Sequence, residues 1–276
     1  MIPRITLWWS ICLLVLMGCF EPRISCLDVE AVNFDAAADE PCCCCCQYPK
    51  LRLKYAPLFD TLNWVPGVAY EYSPGRWFRL REAIFYLSEF RATQNGLNYS
   101  IVDTVKLSVR TSNGDTIQQT FTNDVLLLRR TQLDYTLGEF RASGTFSSIR
   151  FRVGLPEAAQ RVLPALAPEN HPLGQQPEEL WLGHNRGFAA FRLILNRDTL
   201  STTPADTLMF GPPEFPSKVL ESPGLFYRES GYDFPIQLVI NYRKLFHGVD
   251  LAHHDISAWK SKIWVNLDSA LSVIPR

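Results

Sequence analysis

Five consecutive cysteines, Cys42 to Cys46, are the residues whose type and spacing most directly suggest chemistry. Successive side chains of an extended chain point to opposite sides, so Cys42, Cys44 and Cys46 would share one face. Three thiolates on one face suit a soft ion such as Cu(I) or Zn(II). No separate CxxC pair or nearby histidine accompanies them, and two other interpretations stay open. One is disulfide formation, as mixed or intermolecular disulfides or by pairing with Cys26. The other is a tether without a defined role.

The chemistry of these cysteines depends on the compartment, and the N-terminus predicts export. Arg4 supplies a positive charge, and residues 5–17 are almost wholly apolar and uncharged. This run is too short to span a bilayer comfortably and matches the core of a signal peptide. It ends in Gly18-Cys19, the small residue and thiol of a bacterial lipobox. We therefore predict a lipoprotein signal peptide over residues 1–18 and lipid attachment at Cys19; an ordinary secretory signal with a chance cysteine is the alternative.

The predicted location is the cell envelope. Phe20, and not an acidic residue, follows the lipobox cysteine, which favours an outer-membrane lipoprotein on the periplasmic face or at the cell surface. No later stretch is apolar enough to span a membrane, so the lipid would anchor the chain. An exported protein meets an oxidising environment, in which free thiols tend to pair. Residues 19–47, which are acidic and cysteine-rich and show no periodicity, are predicted to be a tether.

Residues 48–276 carry the pattern of an all-β domain. Apolar residues alternate with polar ones in several short stretches, for example Leu51, Leu53 and Tyr55. Asn113-Gly114 is typical of a tight hairpin turn. Strands do not alternate with helices, so we predict an antiparallel β-sandwich with long loops, including a proline-rich one after Pro156. A short C-terminal helix is expected where apolar residues follow helical spacing beyond Asp255, its predicted N-cap.

The composition and motifs exclude several function classes. The 27 basic and 28 acidic side chains nearly cancel, which argues against a nucleic-acid partner. GxSxG, HExxH and glycine-rich phosphate loops are all absent, so we predict that the chain is not an enzyme. His184 lies between Gly183 and Asn185 and is the histidine we single out as a metal ligand. A loop imidazole that bonds backbone is the alternative interpretation of that residue.

Four segments resemble the MbnP-like family, the copper-binding proteins of methanobactin-type operons that are common as bacterial lipoproteins. The segments are FRLREAIFYLSEFRATQNG (78–96), GTFSSIRFRVGLPEAAQ (144–160), LWLGHNRGFAAFRLIL (180–195) and VINYRKLFHGVDL (239–251). The resemblance implies a β-sandwich in the periplasm or at the cell surface, and copper as the cofactor. The sequence departs from the family where a histidine is usual, since Ala56 and Pro57 stand there. His184 replaces the tryptophan that precedes the asparagine of the third motif.

Two functions follow from these observations. The first is a lipid-anchored MbnP-like protein that binds a ligand or an envelope protein without catalysis. Copper is the ligand that the family resemblance implies. Its soft ligands would be Cys42, Cys44, Cys46 or His184. The alternative is a surface adhesion or scaffold module that needs no metal.

Overall fold

The computed structural model describes residues 21–174, 180–200 and 202–276. The predicted signal peptide and Cys19 lie outside these ranges. No helix in the described ranges combines the length and the hydropathy that crossing a bilayer requires. The strands, in chain order, are β1 (Ile24–Ser25), β2 (Glu40–Pro41), β3 (Lys50–Phe59), β4 (Leu62–Asn63), β5 (Ala69–Ser73), β6 (Arg76–Gln94), β7 (Leu97–Ser100), β8 (Thr104–Arg110), β9 (Thr116–Thr122), β10 (Leu126–Leu128), β11 (Asp134–Glu139), β12 (Gly144–Val153), β13 (Phe191–Asn196), β14 (Asp206–Phe210), β15 (Lys218–Arg228), β16 (Phe234–Asn241) and β17 (Leu271–Pro275).

Two sheets form a β-sandwich, as predicted. The large sheet has the strand order β14-β13-β6-β12-β15, and β5, β7 and β10 also pair with β6. The small sheet has the order β11-β3-β16-β17, with β4 on β3. Both sheets contribute to one core, in which Phe146 of the large sheet lies 5.2 Å from Phe234 of the small sheet, measured between ring centroids. The alternating residues Leu51, Leu53 and Tyr55 are buried in this core.

The small sheet departs from the prediction of purely antiparallel pairing. β3 and β16 run parallel in continuous register from Phe234↔Leu51 to Asn241↔Leu58. Every second residue of β16 is buried, which is the pattern that the sequence shows. Alternation identifies which face of a strand is buried but carries no information on the direction of its neighbour.

A second apolar cluster lies on the outer face of the large sheet. β6 is buried on both sides over residues 83–88. Within that stretch Ala83, Phe85 and Leu87 enter the main core, whereas Ile84 and Tyr86 enter the second cluster. The β8–β9 hairpin and the loop between β12 and β13 cover this outer face. The sandwich therefore has a third layer, and this layer carries the site described below.

The hairpin, the loop and the C-terminal helix follow the sequence patterns. β8 and β9 pair in register around Gly114, whose φ is +90°. The proline-rich loop contains two 3₁₀ turns, Glu157–Arg161 and Pro164–Leu166. A four-residue helix, α1 (Tyr242–Leu245), follows β16 directly, and α2 (Ile256–Ala270) begins at its predicted cap, where Asp255 Oδ1 accepts from Ala258 N at 2.9 Å. The chain then continues into β17, so the helix is not the last element.

Residues 21–49, the N-terminal lobe, are packed onto the sandwich, in contrast to the tether predicted over residues 19–47. The Glu30 carboxylate forms an ion pair with Arg228, whose side chain is fully buried. Ser143 and Ser230 donate hydrogen bonds to the same carboxylate. The acidic composition and missing periodicity of this segment suggested a spacer, but a buried arginine needs a partner with opposite charge and takes it from the lobe.

Candidate functional site

His184 lies at the tip of a tight loop on the third layer. Trp181 and Phe188 form an antiparallel bridge that closes the loop, and Leu182 N donates to Gly187 O at 2.8 Å. Gly183 and Gly187 have φ values of +92° and +68°, a region that side-chain-bearing residues rarely adopt. The two glycines therefore let the chain reverse and expose the intervening residues.

A 3₁₀ turn holds this loop from beneath. The Gln160 side-chain oxygen accepts a hydrogen bond from Phe188 N at 2.7 Å. A Cβ atom added to Gly187 would lie 2.7 Å from the Gln160 carbonyl oxygen, so only glycine fits there without rearrangement. Arg161, the next residue of the turn, is exposed beside the loop.

The β8–β9 hairpin is joined to the same 3₁₀ segment. Val109 and Val162 form an antiparallel bridge, and Leu163 N donates to Ser108 O at 2.9 Å. These contacts place Arg110 and the hairpin turn beside Arg161. Three separate segments of the chain thus meet around His184.

Two cavities open on this surface and share Arg161, His184 and Asn185. One measures about 510 Å³ and lies toward the hairpin turn, with Arg110 and Trp181 in its wall. The other measures about 760 Å³ and lies toward the loop after β14, with Arg186 in its wall. We call the two together the His184 cleft. The larger cavity has an apolar side formed by Leu155, Pro156, Pro212, Pro213 and Pro216.

The cleft is rich in positive charge. Arg110, Arg161 and Arg186 are exposed and have no carboxylate partner within the ranges that the structure describes. Arg152 also lines the larger cavity, but Glu89 and Ser217 accept its hydrogen bonds at 2.6 and 2.8 Å. Glu157 is the acidic side chain of the lining. The cleft therefore presents cationic donors to solvent.

Aromatic rings fix the floor of the cleft. The Trp181 ring lies 4.6 Å from the buried Phe188 ring and meets the His184 ring edge-on at 5.7 Å. Trp181 is only partly buried, so it belongs both to the second apolar cluster and to the cavity wall. Packing against Phe188 on one face therefore holds the Trp181 indole in place, and its other face can contact a ligand in the cavity.

The histidines do not form the imidazole site that the resemblance implies. His171 is buried, its Nδ1 accepts from Leu173 N at 3.1 Å, and burial lowers the pKa of its ring. His253 Nδ1 lies 2.6 Å from Asp250 Oδ2, and His254 Nε2 lies 2.9 Å from Asp206 Oδ1. No group of three or more histidine, cysteine or acidic side chains suited to a metal ion is found among the described residues. A copper centre built on imidazoles does not fit this arrangement.

The cysteine candidates separate into two kinds. Cys46 is paired with Cys26, and Cys42 with Cys45, so two of the three predicted sulfur ligands are in disulfides. Cys43 and Cys44 are free and exposed. Pairing with Cys26 was one of the interpretations left open, whereas a disulfide inside the quintet was not among them. Three equally spaced thiolates would have required an extended strand, and residues 42–49 form no strand.

The two free sulfurs are close together in the lobe. Cys43 Sγ lies 3.4 Å from Cys44 Sγ. Asn33 holds the neighbouring backbone, donating to Cys45 O at 2.9 Å and accepting from Gln47 N at 2.8 Å. This arrangement offers a soft ion two sulfur ligands, and His184 is not among the residues brought to it.

The arginines of the cleft were missed by reasoning from the sequence. They stand in three unconnected segments, and each alone has the sequence signature of a solvated surface residue. One signal was available: Arg110, Arg161 and Arg186 each lie within four residues of a turn-forming Asn-Gly, proline or glycine. Their convergence depends on the third layer, which alternation alone does not predict.

Comparisons with known proteins give one structural match. No family model and no curated protein matches the chain. Among solved structures it is similar to MbnP from Methylosinus trichosporium, with 14% sequence identity and a TM-score of 0.42. MbnP gives its name to the MbnP-like family, which four segments of the sequence resemble. The match covers 71% of this chain and 77% of that one.

Proposed function

We propose that this chain is a lipid-anchored protein of the bacterial cell envelope that binds a ligand in the His184 cleft without transforming it. The observation that carries the proposal is the cleft itself, in which two cavities meet at Arg161, His184 and Asn185. Backbone bridges to β8 and the Gln160 hydrogen bond hold its walls, so the backbone that carries the donors is fixed before a ligand arrives. A pre-organised backbone lowers the entropic cost of binding.

The lipid anchor has its own test. Cells expressing the chain are fed an alkyne-bearing fatty acid, and the labelled protein is detected after export. Label should be present in the wild type and in Cys12→Ser, which alters a cysteine of the predicted signal peptide, and absent from Cys19→Ser. Label that persists in Cys19→Ser would remove the lipid anchor from the proposal. Separation of inner and outer membranes then tests the outer-membrane assignment.

Binding without catalysis is tested at the cleft. A library of small metabolites and oligosaccharides is screened by NMR, with the His184 ring and the Trp181 indole as reporters. Ligands should shift these resonances in the wild type and be recovered chemically unchanged. The proposal fails if no compound shifts them, and turnover of a bound compound would make the chain an enzyme.

A second candidate function is soft-metal binding, with copper as the metal, and the Cys43–Cys44 sulfur pair favours it. The anaerobically purified chain is titrated with Cu(I) against a chromophoric chelator. We expect uptake by the wild type and by His184→Ala, and none by a Cys43→Ser/Cys44→Ser variant. Equal uptake by the double variant would leave the sulfur pair without a metal role.

A further inference from the structure

The charge of the His184 cleft differs from that of the chain as a whole. The chain has 27 basic and 28 acidic side chains, yet the two cavities are lined by four arginines and one acid. Exposed arginines elsewhere commonly have acidic partners, such as Arg52 with Asp233 and Arg243 with Asp60. Three of the four cleft arginines, Arg110, Arg161 and Arg186, have no acidic partner among the described residues. Such a concentration of one charge attracts ligands of the opposite charge.

The arginines are distributed over the length of the cleft. Arg110 lies in the smaller cavity, Arg186 in the larger one, and Arg161 where the two meet. Each guanidinium offers donors in a planar fork that matches a carboxylate, sulfate or phosphate group. A ligand with a single oxyanion could satisfy only part of this series. A ligand with oxyanions spaced along its length could contact all three.

The apolar surfaces indicate what links those oxyanions. Pro212, Pro213 and Pro216 form a wall of the larger cavity, and the Trp181 indole borders the smaller one. These surfaces can bury carbon, and apart from the indole N–H of Trp181 they offer no hydrogen-bond donor to a bare phosphate chain. Asn185, shared by both cavities, adds an amide that can donate to and accept from hydroxyl groups.

We propose that the His184 cleft binds an acidic oligosaccharide, with Arg110, Arg161 and Arg186 contacting successive carboxylate or sulfate groups. This inference rests on the proposed binding function of the cleft and names its ligand class. Because the arginines are exposed, their contacts are screened by salt, and affinity falls as ionic strength rises.

The test measures the affinity of the folded chain for four probes of six repeating units each. These are hexagalacturonate, a heparin-derived hexasaccharide, neutral maltohexaose and inorganic hexaphosphate. We expect the two acidic saccharides to bind most tightly, with the carboxylate and sulfate arms identifying which oxyanion is preferred. Hexaphosphate should bind more weakly, and maltohexaose at least 100-fold more weakly than the tighter acidic saccharide.

Variants assign the binding to the cleft. Each of Arg110→Glu, Arg161→Glu and Arg186→Glu should weaken the tighter saccharide about tenfold, the change expected for one charge-assisted contact. Arg81→Glu is the matched control, because Arg81 is an exposed arginine of β6 outside both cavities. Thermal melts confirm that each variant is folded, and the Trp181 indole resonance reports the site directly.

Different outcomes would overturn the acidic-oligosaccharide ligand class and the binding function of the His184 cleft. If maltohexaose binds as well as the acidic saccharides and shifts the Trp181 resonance, the cleft is a binding site but the acidic class is wrong. If hexaphosphate binds most tightly, the saccharide skeleton is wrong. If Arg161→Glu weakens binding no more than Arg81→Glu does, the arginines are not the contacts. If no probe binds, the inference is overturned whatever the metabolite screen finds.

Discussion

Replacing Glu30 with glutamine should release the N-terminal lobe from the sandwich. Glu30 neutralises Arg228, a fully buried guanidinium that also donates to the backbone carbonyls of Arg141, Ala142, Glu229 and Tyr232. Glu30→Gln keeps the shape of the side chain and removes its charge. The positive charge of Arg228 then stays buried without a counter-ion.

The size of the effect follows from the burial of the two partners. Removing one partner of a fully buried ion pair costs about 3–5 kcal/mol. The Glu30 side chain is 30% exposed and Arg228 keeps its four carbonyl acceptors, so we expect about 2 kcal/mol. In a domain of this size that corresponds to a decrease in Tm of about 4–8 °C.

The effect should depend on pH. Burial acts to raise the pKa of Glu30, but hydrogen bonds from Ser143, Ser230 and Arg228 outweigh it and hold the pKa below the ordinary value of 4.5. The native state therefore binds this proton less readily than the unfolded state does. The stabilisation is complete above pH 4.5 and is lost as the pH falls through the native pKa. The wild type and Glu30→Gln should become similar in strong acid.

Two measurements check the reasoning. Denaturant unfolding at pH 7 gives the change in free energy, and hydrogen exchange of residues 21–49 reports whether the lobe opens locally. Glu40→Gln is the control, since Glu40 is an exposed acid of the same lobe, and it should change stability by less than about 0.5 kcal/mol. A Glu30→Gln protein within that range, with unchanged exchange in the lobe, would refute the assigned role of the ion pair.

Three further predictions concern other parts of the chain. Gly187→Ala should destabilise the protein by about 1–3 kcal/mol and weaken ligand binding, because its Cβ meets Gln160 at a positive φ; denaturant unfolding measures the first effect and affinity the second. Asp124→Asn should stabilise the protein by about 2 kcal/mol at pH 7. Burial, reinforced by the Glu89 charge, raises the pKa of Asp124 to about 6, so its ionised form opposes folding, and the gain should vanish as the pH falls below 3.8. Thiol titration of residues 21–276 should give two thiols, Cys43 and Cys44, before reduction and six after it.

Each of these has an outcome that contradicts it. A Gly187→Ala protein as stable as the wild type would show that the loop rearranges freely. An unchanged pH profile in Asp124→Asn would show that this carboxyl does not control stability between pH 4 and 6. Four or more thiols before reduction would show that at least one disulfide is absent.

Sequence patterns predicted the sandwich because burial in strands is read directly from alternation. Leu51, Leu53 and Tyr55, and the corresponding residues of β16, lie where their period of two places them. β6 is harder to recognise from the sequence. It is a single 19-residue strand whose six consecutive buried residues obscure the alternation, since both of its faces are covered.

The site was predicted only in part. His184 was singled out by its place in a glycine-flanked motif, and it lies in the cleft, but with arginines around it and not with metal ligands. The cysteine quintet was recognised, yet which sulfurs pair depends on how residues 21–49 fold back on themselves. That fold is set by long-range contacts such as Glu30 with Arg228, which join residues far apart in sequence. Periodicity does not report contacts of this kind.

The parallel pairing of β3 with β16 determines when the protein can fold. The two strands are joined across some 180 residues, so the side of β3 that pairs with β16 has no partner until the chain has been synthesised through Asn241. Closing so long a loop early is entropically unfavourable, which makes late assembly the expected route. The small sheet thus remains incomplete for most of the chain's synthesis.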